Sequence, residues 1–445
     1  MLSGAGIYVM LDVSLPLNGS IDRSSPSWST NLLDEYTTTI SAFTKYDNML
    51  AYNIGNEVIN LVSNTNAAPF VKAAARDIKA FLKGIGSSTM VGYSAVDGDA
   101  DFRNTLAEYM TCGDDSIAVD IYGLNNYEWC GNETLSSSHW DTITSGFSGL
   151  PVATYMSEFG CITSPPRLWT EVTALFASPV SDVFSGGVAF SYFPTADDYG
   201  MITISADGNS VQTSDDFTRL AAEYNSTTPP NTPTQSAAPA ASTIGCPAEN
   251  DTLLASSTLP PTPDESVCNC INENAFACLL KQSSANEPII VGSLTDYACS
   301  LLGSNNASCD AIAGNGTSGV YGALSMCSPA IKLSYAMSAY YELNPVDSSC
   351  DFAGNASLST NKPNTAQDAS AAASSCLAQE PSGGVFTPSA SSAQTASSTG
   401  SSGSASASSS SKSGSATSVG VNGLAVGLSL VGVLVGGLVG IGAHL

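Results

Sequence analysis

The feature that most restricts the fold is an alternation of short apolar runs with helix-like stretches across residues 1–225. The runs are nearly continuous rather than alternating with polar residues, as expected of strands buried on both faces. They cover residues 6–13, 49–56, 90–96, 117–125, 151–159 and 187–193. Between them lie stretches such as residues 67–85, where Phe70, Ala74 and Ile78 recur at helical spacing. The pattern predicts a parallel α/β sheet.

The number of runs suggests an incomplete barrel. Parallel strand–helix units close on themselves as an eight-stranded barrel of the TIM type, whereas this chain shows six runs. The N-terminus "MLSGAGIYVMLDV" also has no basic region and cleavage site before its apolar run. We therefore expect a (β/α)8 catalytic barrel in residues 1–225 that lacks its first two strand–helix units.

The composition changes after residue 225. Residues 226–245 are rich in Pro, Thr and Ser and are predicted to form a linker. Residues 246–360 contain eight cysteines, which indicates a small disulfide-rich module that we expect to be mainly helical. Residues 361–418 are rich in Ser, Ala and Gly, cannot bury a core, and are interpreted as an O-glycosylated stalk.

Residues 419–445 form the C-terminal tail, in which residues 424–445 are apolar and uncharged. Small residues, a short polar spacer and a terminal apolar tail are typical of a glycosylphosphatidylinositol (GPI) attachment signal. We expect lipid attachment within residues 409–418 and a location at the extracellular face of the cell membrane and in the cell wall. A membrane-spanning helix is the alternative, disfavoured because no basic cluster follows the tail.

Charge and cysteine content exclude several classes of protein. With 13 basic and 39 acidic residues the formal charge is −26, which leaves too few cations to bind nucleic acid. Twelve cysteines and seven N-x-S/T sequons indicate the secretory pathway. Zinc is the competing use of cysteine, but the chain has no CxxC pair. We expect no metal and no cofactor.

Two glutamates follow or end apolar runs. Glu57 follows the second run and Glu158 lies near the end of the fifth, in "YMSEFGC". The carboxyl ends of parallel strands meet at one edge, where barrel enzymes place their functional residues. A pair of carboxyl groups there could perform glycoside hydrolysis, one as proton donor and one as nucleophile.

At these positions the sequence resembles a known family. "AYNIGNEV", "VGYSAVD", "IYGLNNYEWCG", "SEFGC" and "FSGGVAFSYF" are similar, in order, to motifs of the fungal cell-wall β-1,3-glucanosyltransferases of glycoside hydrolase family 72. The resemblance implies a retaining enzyme that cleaves an internal β-1,3-glucan bond and transfers the glycosyl group to another glucan chain. It also implies that Glu57 is the acid/base, Asn56 a sugar contact, Glu158 the nucleophile, and Tyr127 a hydrogen-bond donor to that nucleophile.

Asp12 and Tyr192 fall on cleft positions of the same family. Asp12 could instead cap a strand end or pair with Arg23, and Tyr192 could be a packing residue. "YFPTADDYG" (192–200) departs from the family, which usually has Glu and Asn before the tyrosine–glycine pair. The resemblance further implies the disulfides Cys112–Cys246 and Cys130–Cys161.

The cysteine-rich module resembles the X8 domain, carbohydrate-binding family 43, in "CNC", "YGALSMCS" and "CDFAGNASL". The expected partners are β-1,3-glucan donor and acceptor chains, bound by a monomer. Two alternatives stay open. The chain could hydrolyse β-1,3-glucan, or it could be an inactive glucan-binding or structural wall protein because of the missing N-terminal units.

Overall fold

The computed structural model describes residues 2–15, 19–231 and 242–389. The predicted parallel sheet is confirmed: six strands lie in chain order, and every neighbouring pair is parallel. The strands are β1 (Val9–Asp12), β2 (Met49–Asn56), β3 (Met90–Val96), β4 (Ile121–Asn125), β5 (Ala153–Phe159) and β6 (Phe184–Ala189).

Helices follow the strands as the alternating pattern predicts. They are α1 (Thr30–Phe43), α2 (Ala68–Gly84), α3 (Ala100–Thr111), α4 (Trp140–Phe147), α5 (Glu171–Leu175) and, after the small hairpin β7 (Ile202–Ile204) and β8 (Val211–Thr213), α6 (Asp215–Ser226). α2 begins with Pro69 in its first turn, where a missing N–H costs nothing. Its apolar side chains, among them Phe70, Ile78 and Phe81, are buried against the sheet.

Each outer strand of the sheet has one described neighbour. β1 pairs with β2, β6 pairs with β5, and within the described residues the two outer strands do not pair with each other. The described sheet is therefore an open array of six strand–helix units, which confirms the number predicted from the sequence. All six strands end at the same edge because they are parallel.

The cysteine-rich module has its own apolar core. Its elements are α7 (Glu265–Asn274), β9 (Cys278–Leu280), α8 (Gln282–Ala285), α9 (Pro288–Ser304), β10 (Gly314–Asn315), β11 (Val320–Tyr321), α10 (Pro329–Leu343), β12 (Ala356–Leu358) and α11 (Ala366–Leu377). Four disulfides cross-link the module, and they are Cys268–Cys327, Cys270–Cys376, Cys278–Cys350 and Cys299–Cys309. The predicted mainly helical, disulfide-rich character is confirmed.

The segment before α7 joins the module to the barrel through α2. Arg76 donates to the carbonyl of Pro260 at 2.8 Å and forms a salt bridge with Asp77 at 2.8 Å. Thr262 donates to Asp77 at 2.7 Å, and Trp28 donates to the other carboxylate oxygen at 2.8 Å. These buried polar groups satisfy one another, so the barrel and the segment that leads into the module form a continuous structure.

The module extends further than the sequence predicted. Residues 366–377, placed in the stalk by their Ala/Ser composition, form α11, and its Cys376 is bound to Cys270 of α7. Thr262 also donates from its main chain to the carbonyl of Gly384 at 2.8 Å. The disulfide supplies an anchor that the composition of the segment does not reveal.

Residues 232–241 of the linker, residues 390–418 of the stalk and the tail at 419–445 lie outside the described residues. Within the described ranges, every helix is too short or too polar to cross a lipid bilayer.

Candidate active site

The carboxyl edge of the sheet brings the two predicted glutamates near each other. Glu57 follows the last residue of β2, and Glu158 is the second-to-last residue of β5. Strands β3 and β4 lie between β2 and β5 in the sheet. The charge of Glu57 raises the pKa of Glu158, so the two carboxyl groups are within electrostatic reach of each other.

Glu57 has an unusual main-chain conformation. Its φ is 50°, in the left-handed region that non-glycine residues rarely adopt. Its N–H donates to the carbonyl of Ser94 on β3 at 2.8 Å, and its carbonyl accepts from Nη2 of Arg23 at 2.7 Å. The side-chain Oε1 accepts from Nδ2 of Asn125 at 2.8 Å. The main chain of Glu57 is therefore held by two neighbouring segments and its carboxyl group by a third.

Glu158 is held by a phenol. The hydroxyl of Tyr127, in the loop after β4, donates to Oε2 of Glu158 at 2.6 Å. Gly160 makes the turn after β5 possible: its φ is 120°, and an added Cβ would lie 2.5 Å from the ring of Trp169. The disulfide Cys130–Cys161 joins the loop that carries Tyr127 to the turn after Glu158.

Asn125 connects the two glutamates. It pairs with Glu158 in the sheet register, and its Nδ2 reaches both Oε1 of Glu57 and Oδ1 of Asn56, the latter at 3.1 Å. Its Oδ1 accepts from the hydroxyl of Ser157 at 2.6 Å. One amide therefore fixes the side chains of Asn56 and Glu57 relative to β5.

Burial and charge set the protonation of the pair. Burial raises the pKa of Glu57, while the hydrogen bond from Asn125 and the charge of Arg23 lower it. Burial raises the pKa of Glu158 to about 7; the hydrogen bond from Tyr127 lowers it, and the charges of Glu57 and Asp12 raise it further. The arrangement favours one negative charge and one proton on the pair.

Such a pair can perform acid-assisted nucleophilic substitution. One carboxyl group must be protonated to assist a leaving oxygen, and the other must be ionised to attack a carbon centre. The O–H of Tyr127 can only donate to a carboxylate, because burial and the charge of Glu158 raise the phenol pKa. This contact stabilises the ionised form of Glu158 and so opposes the effect of burial on its pKa.

Asp12 lies at the same edge, at the end of β1. It is exposed, its Oδ1 accepts from Nδ2 of Asn53 at 2.9 Å, and its charge acts on Glu158. The alternative pairing with Arg23 is not found, because Arg23 donates to Glu57 instead. Asp12 thus belongs to the polar rim around the pair.

Tyr192 is placed differently from the other predicted residues. Its half-exposed ring packs against Phe193 and Phe217, with ring centroids 5.1 and 6.3 Å away. Tyr127 instead contacts Tyr199 and Phe190, with ring centroids 5.5 and 6.3 Å away. Burial raises the pKa of Tyr199; the charge of Arg167 lowers it, and the charges of Asp197 and Glu158 raise it. A role for Tyr192 in binding sugar stays a prediction.

Sequence reasoning missed Asn125, Arg23 and Tyr199. Asn125 stands at the end of an apolar run, in the quoted motif "IYGLNNYEWCG", so its position was a usable signal. Tyr199 lies in the loop that departs from the family pattern. Cys112 pairs with Cys246, and all twelve cysteines form disulfides. Across residues 2–15, 19–231 and 242–389, no three His, Cys, Asp or Glu side chains converge as a metal-binding group.

Two family models match the chain. The glucanosyltransferase model of glycoside hydrolase family 72 matches residues 1–228, and the X8 domain model matches residues 276–357. The chain is 40% identical over 390 residues to Protein EPD1 of Candida maltosa, covering 86% of this chain and 67% of that protein. It is also 40% identical over 357 residues to 1,3-beta-glucanosyltransferase gas1 of Schizosaccharomyces pombe, covering 80% and 63%. The chain thus spans about two thirds of the length of these curated relatives.

Solved structures show the same fold. Gas2p of Saccharomyces cerevisiae, in a glutamate-to-glutamine variant without ligand, superposes with a TM-score of 0.75 at 34% identity, over 85% of this chain and 80% of that one. Gas2p in complex with laminaritriose and laminaritetraose gives a TM-score of 0.73 at 35% identity, over 81% and 80%. With its two domain matches and these relatives, the chain belongs to the glucanosyltransferases of glycoside hydrolase family 72.

Proposed function

We propose that the chain is a retaining β-1,3-glucan transglycosylase that elongates cell-wall glucan. The observation that carries the proposal is the contact between Tyr127 and Glu158 beside a second buried carboxyl group, Glu57. Family membership supports the substrate class, since Gas2p is bound to laminari-oligosaccharides and a relative is named a 1,3-beta-glucanosyltransferase.

The reaction consists of two displacements at one sugar carbon. In the first, Glu158 attacks C1 of the donor, the bond from C1 to the leaving O3 breaks, and Glu57 gives its proton to that oxygen. In the second, O3 of an acceptor chain attacks C1, the ester bond to Glu158 breaks, and the acceptor proton passes to Glu57. The products are a shortened and an elongated glucan chain, and no cofactor enters the balance.

Polar and aromatic groups around the pair are suited to a sugar. Asn56, Asn125 and Asp12 offer amide and carboxylate groups to hydroxyls, and Tyr127 and Tyr199 offer ring faces and edges. Aromatic rings with a few placed polar groups are typical of sites for small polar molecules. We propose Asn56, Tyr127 and Asp12 as substrate-binding residues, with Tyr192 at the periphery.

The X8 module is proposed to aid glucan binding, and the enzyme is proposed to act as a monomer outside the cell. Six disulfides and several exposed sequons, including Asn132 and Asn306, support passage through the oxidising secretory pathway, where glycosylation occurs.

Anchoring by GPI is proposed from the tail sequence. Release of the protein from cells by a phosphatidylinositol-specific phospholipase tests the anchor.

The function is tested by incubating the full chain with a single laminari-oligosaccharide and separating the products by length. Products longer than the substrate are expected. Only shorter products would identify a hydrolase, and no products from the folded chain would identify an inactive binding protein; either result contradicts the proposal.

The two roles are separated by substitution. Glu57→Gln and Glu158→Gln should each lose more than about 100-fold in rate, the lower range for general acid catalysis. Glu128→Gln, an exposed glutamate one residue from Tyr127, is the matched control and should keep wild-type activity. Azide should rescue Glu57→Ala as a β-glycosyl azide and Glu158→Ala as an α-glycosyl azide. The reverse stereochemistry would exchange the two roles.

A further inference from the structure

Within the described residues, Arg23 is the one cationic side chain that forms a hydrogen bond with the proposed acid/base residue. It lies on the segment between β1 and α1, and its Nη2 donates to the main-chain carbonyl of Glu57 at 2.7 Å. Ile21 and Trp28, 3% and 1% exposed, bury the segment on either side of Arg23. The indole of Trp28 also donates to Asp77 of α2 at 2.8 Å. Arg23 therefore projects from a segment that is anchored at both ends.

The contact acts on a strained residue. A non-glycine residue in the left-handed region is strained and persists only where its surroundings hold it. For Glu57 the N–H is held by Ser94 of β3 and the carbonyl by Arg23. Two residues on, the N–H of Ile59 donates to the hydroxyl of Tyr93 at 3.1 Å. Arg23 therefore holds the carbonyl group of Glu57, while β3 holds its N–H.

Arg23 also supplies positive charge near the carboxyl group of Glu57. The titratable groups that face Glu57 come from four elements: Arg23, Tyr93 of β3, Tyr127 after β4 and Glu158 of β5. Burial raises the pKa of both phenols, so they stay neutral. Among these groups Arg23 is the cation and Glu158 the second anion.

We propose that Arg23 is a positioning residue for Glu57, holding its main chain in the left-handed conformation and supplying the positive charge that faces its carboxyl group. The inference rests on the proposed function, in which Glu57 is the acid/base. It adds a residue that no part of that proposal uses.

The two displacements explain why such a charge is needed. Glu57 gives a proton to the leaving oxygen in the first step and must be ionised to take a proton from the acceptor hydroxyl in the second. Burial favours the protonated form throughout, whereas Arg23 favours the ionised form. A general acid that must also act as base works best when its pKa lies near the working pH.

The test compares Arg23→Met with Arg23→Lys in the full chain, on a laminari-oligosaccharide. For Arg23→Met we expect kcat/KM to fall about 10–100-fold, as for loss of a hydrogen bond from a charged donor. We also expect the alkaline limb of the pH profile of kcat/KM to move to higher pH in Arg23→Met, because Glu57 keeps its proton to higher pH without the nearby cation. Arg23→Lys keeps the positive charge but not the planar guanidinium. Its alkaline limb should therefore stay near that of wild type, and its kcat/KM should lie between those of wild type and Arg23→Met.

Lys45→Met is the matched control. Lys45 is an exposed cation just before β2, at the opposite end of that strand from Glu57, so the variant has the same net charge as Arg23→Met. Its rate and its alkaline limb should equal those of wild type. Arg23→Gln is measured alongside, so that the outcome does not depend on the folding of one variant.

A merely structural role would lower the melting temperature and the rate without moving the limb. The inference is overturned if the folded neutral variants keep the wild-type alkaline limb, whatever their rates. The variant Glu57→Gln distinguishes a failure of the proposed function from a failure of this inference. Activity in Glu57→Gln overturns the proposed function and this inference together, whereas an inactive Glu57→Gln with an unmoved limb in Arg23→Met overturns this inference alone.

Discussion

The hydroxyl of Tyr127 lies 2.6 Å from Oε2 of Glu158, and it joins the loop after β4 to the end of β5. If Glu158 is the nucleophile, this bond orients the carboxylate and stabilises its charge. Removing one hydrogen bond to a charged group costs about 1.5–3 kcal/mol. Tyr127→Phe should therefore lower kcat for transfer by about 10–100-fold.

The control for this variant is Tyr46→Phe, which removes an exposed phenol just before β2. It should leave kcat unchanged. Steady-state kinetics on a laminari-oligosaccharide measure both variants. An unchanged kcat in Tyr127→Phe would show that the phenol does not act on the reacting carboxylate.

The same variant should shift the pH profile. The hydrogen bond from Tyr127 lowers the pKa of Glu158, which burial raises to about 7. Without the phenol the pKa of Glu158 rises further, so more alkaline conditions are needed to ionise it. The acidic limb of kcat/KM in Tyr127→Phe should move to higher pH, and a limb moved to lower pH would contradict this account.

Whether a feature of the site could be predicted from the sequence depends on the kind of contact that forms it. Glu57 and Glu158 could be placed together because the ends of parallel strands meet at one edge, a rule that requires only the strand pattern. The partnership of Asn125 with Glu57 could not, because it depends on side chains that reach across β3 from β4 to β2.

Loops and disulfides were harder to predict. The loop at residues 192–200 brings Tyr199 rather than Tyr192 to Tyr127, and only its three-dimensional path shows this. The Ala/Ser sequence of α11 has few large apolar residues and therefore predicts a stalk rather than a packed helix. Its position depends on the pairing of Cys376 with Cys270, which is 106 residues away along the chain.

The pair of glutamates should reduce the stability of the fold near neutral pH. The folded-state pKa of Glu158 is about 7 against an ordinary 4.5. Between these values the unfolded chain loses the proton while the folded chain keeps it, so stability falls as pH rises through this window. Glu158→Gln does not titrate there and should melt higher than wild type above pH 7, by an amount that vanishes at acid pH.

Thermal melting at several pH values measures this difference. One pKa unit corresponds to about 1.4 kcal/mol, so the shift from 4.5 to about 7 gives a gain of up to about 3.5 kcal/mol. Glu108→Gln, an exposed glutamate on α3, is the control and should show no pH-dependent difference. A gain for Glu158→Gln that grows toward acid pH would have the wrong sign.

Arg76 should be essential for attaching the segment that leads into the module. Arg76→Met keeps the apolar length but leaves Asp77 as a buried charge that has lost its cation. Breaking one side of a buried pair costs about 3–5 kcal/mol. The free energy of unfolding in urea should fall by this order, and Arg76→Met/Asp77→Asn should recover part of the loss. A double variant as unstable as the sum of both single variants would contradict the coupling.

Helix α11 should depend on its disulfide. Short helices with little apolar surface are marginal in isolation, and α11 buries chiefly Ala369 and Cys376. Closing a loop of about 100 residues stabilises the fold by up to about 4.7 kcal/mol in the chain-entropy model. In Cys270→Ser/Cys376→Ser the amides of residues 366–377 should exchange hydrogen rapidly, while β2 and β5 keep their protection.

Cys299→Ser/Cys309→Ser removes a disulfide that spans 10 residues and should leave exchange in α11 unchanged. Protection of α11 that survives the first substitution would mean that packing against α7, rather than the disulfide, holds this helix.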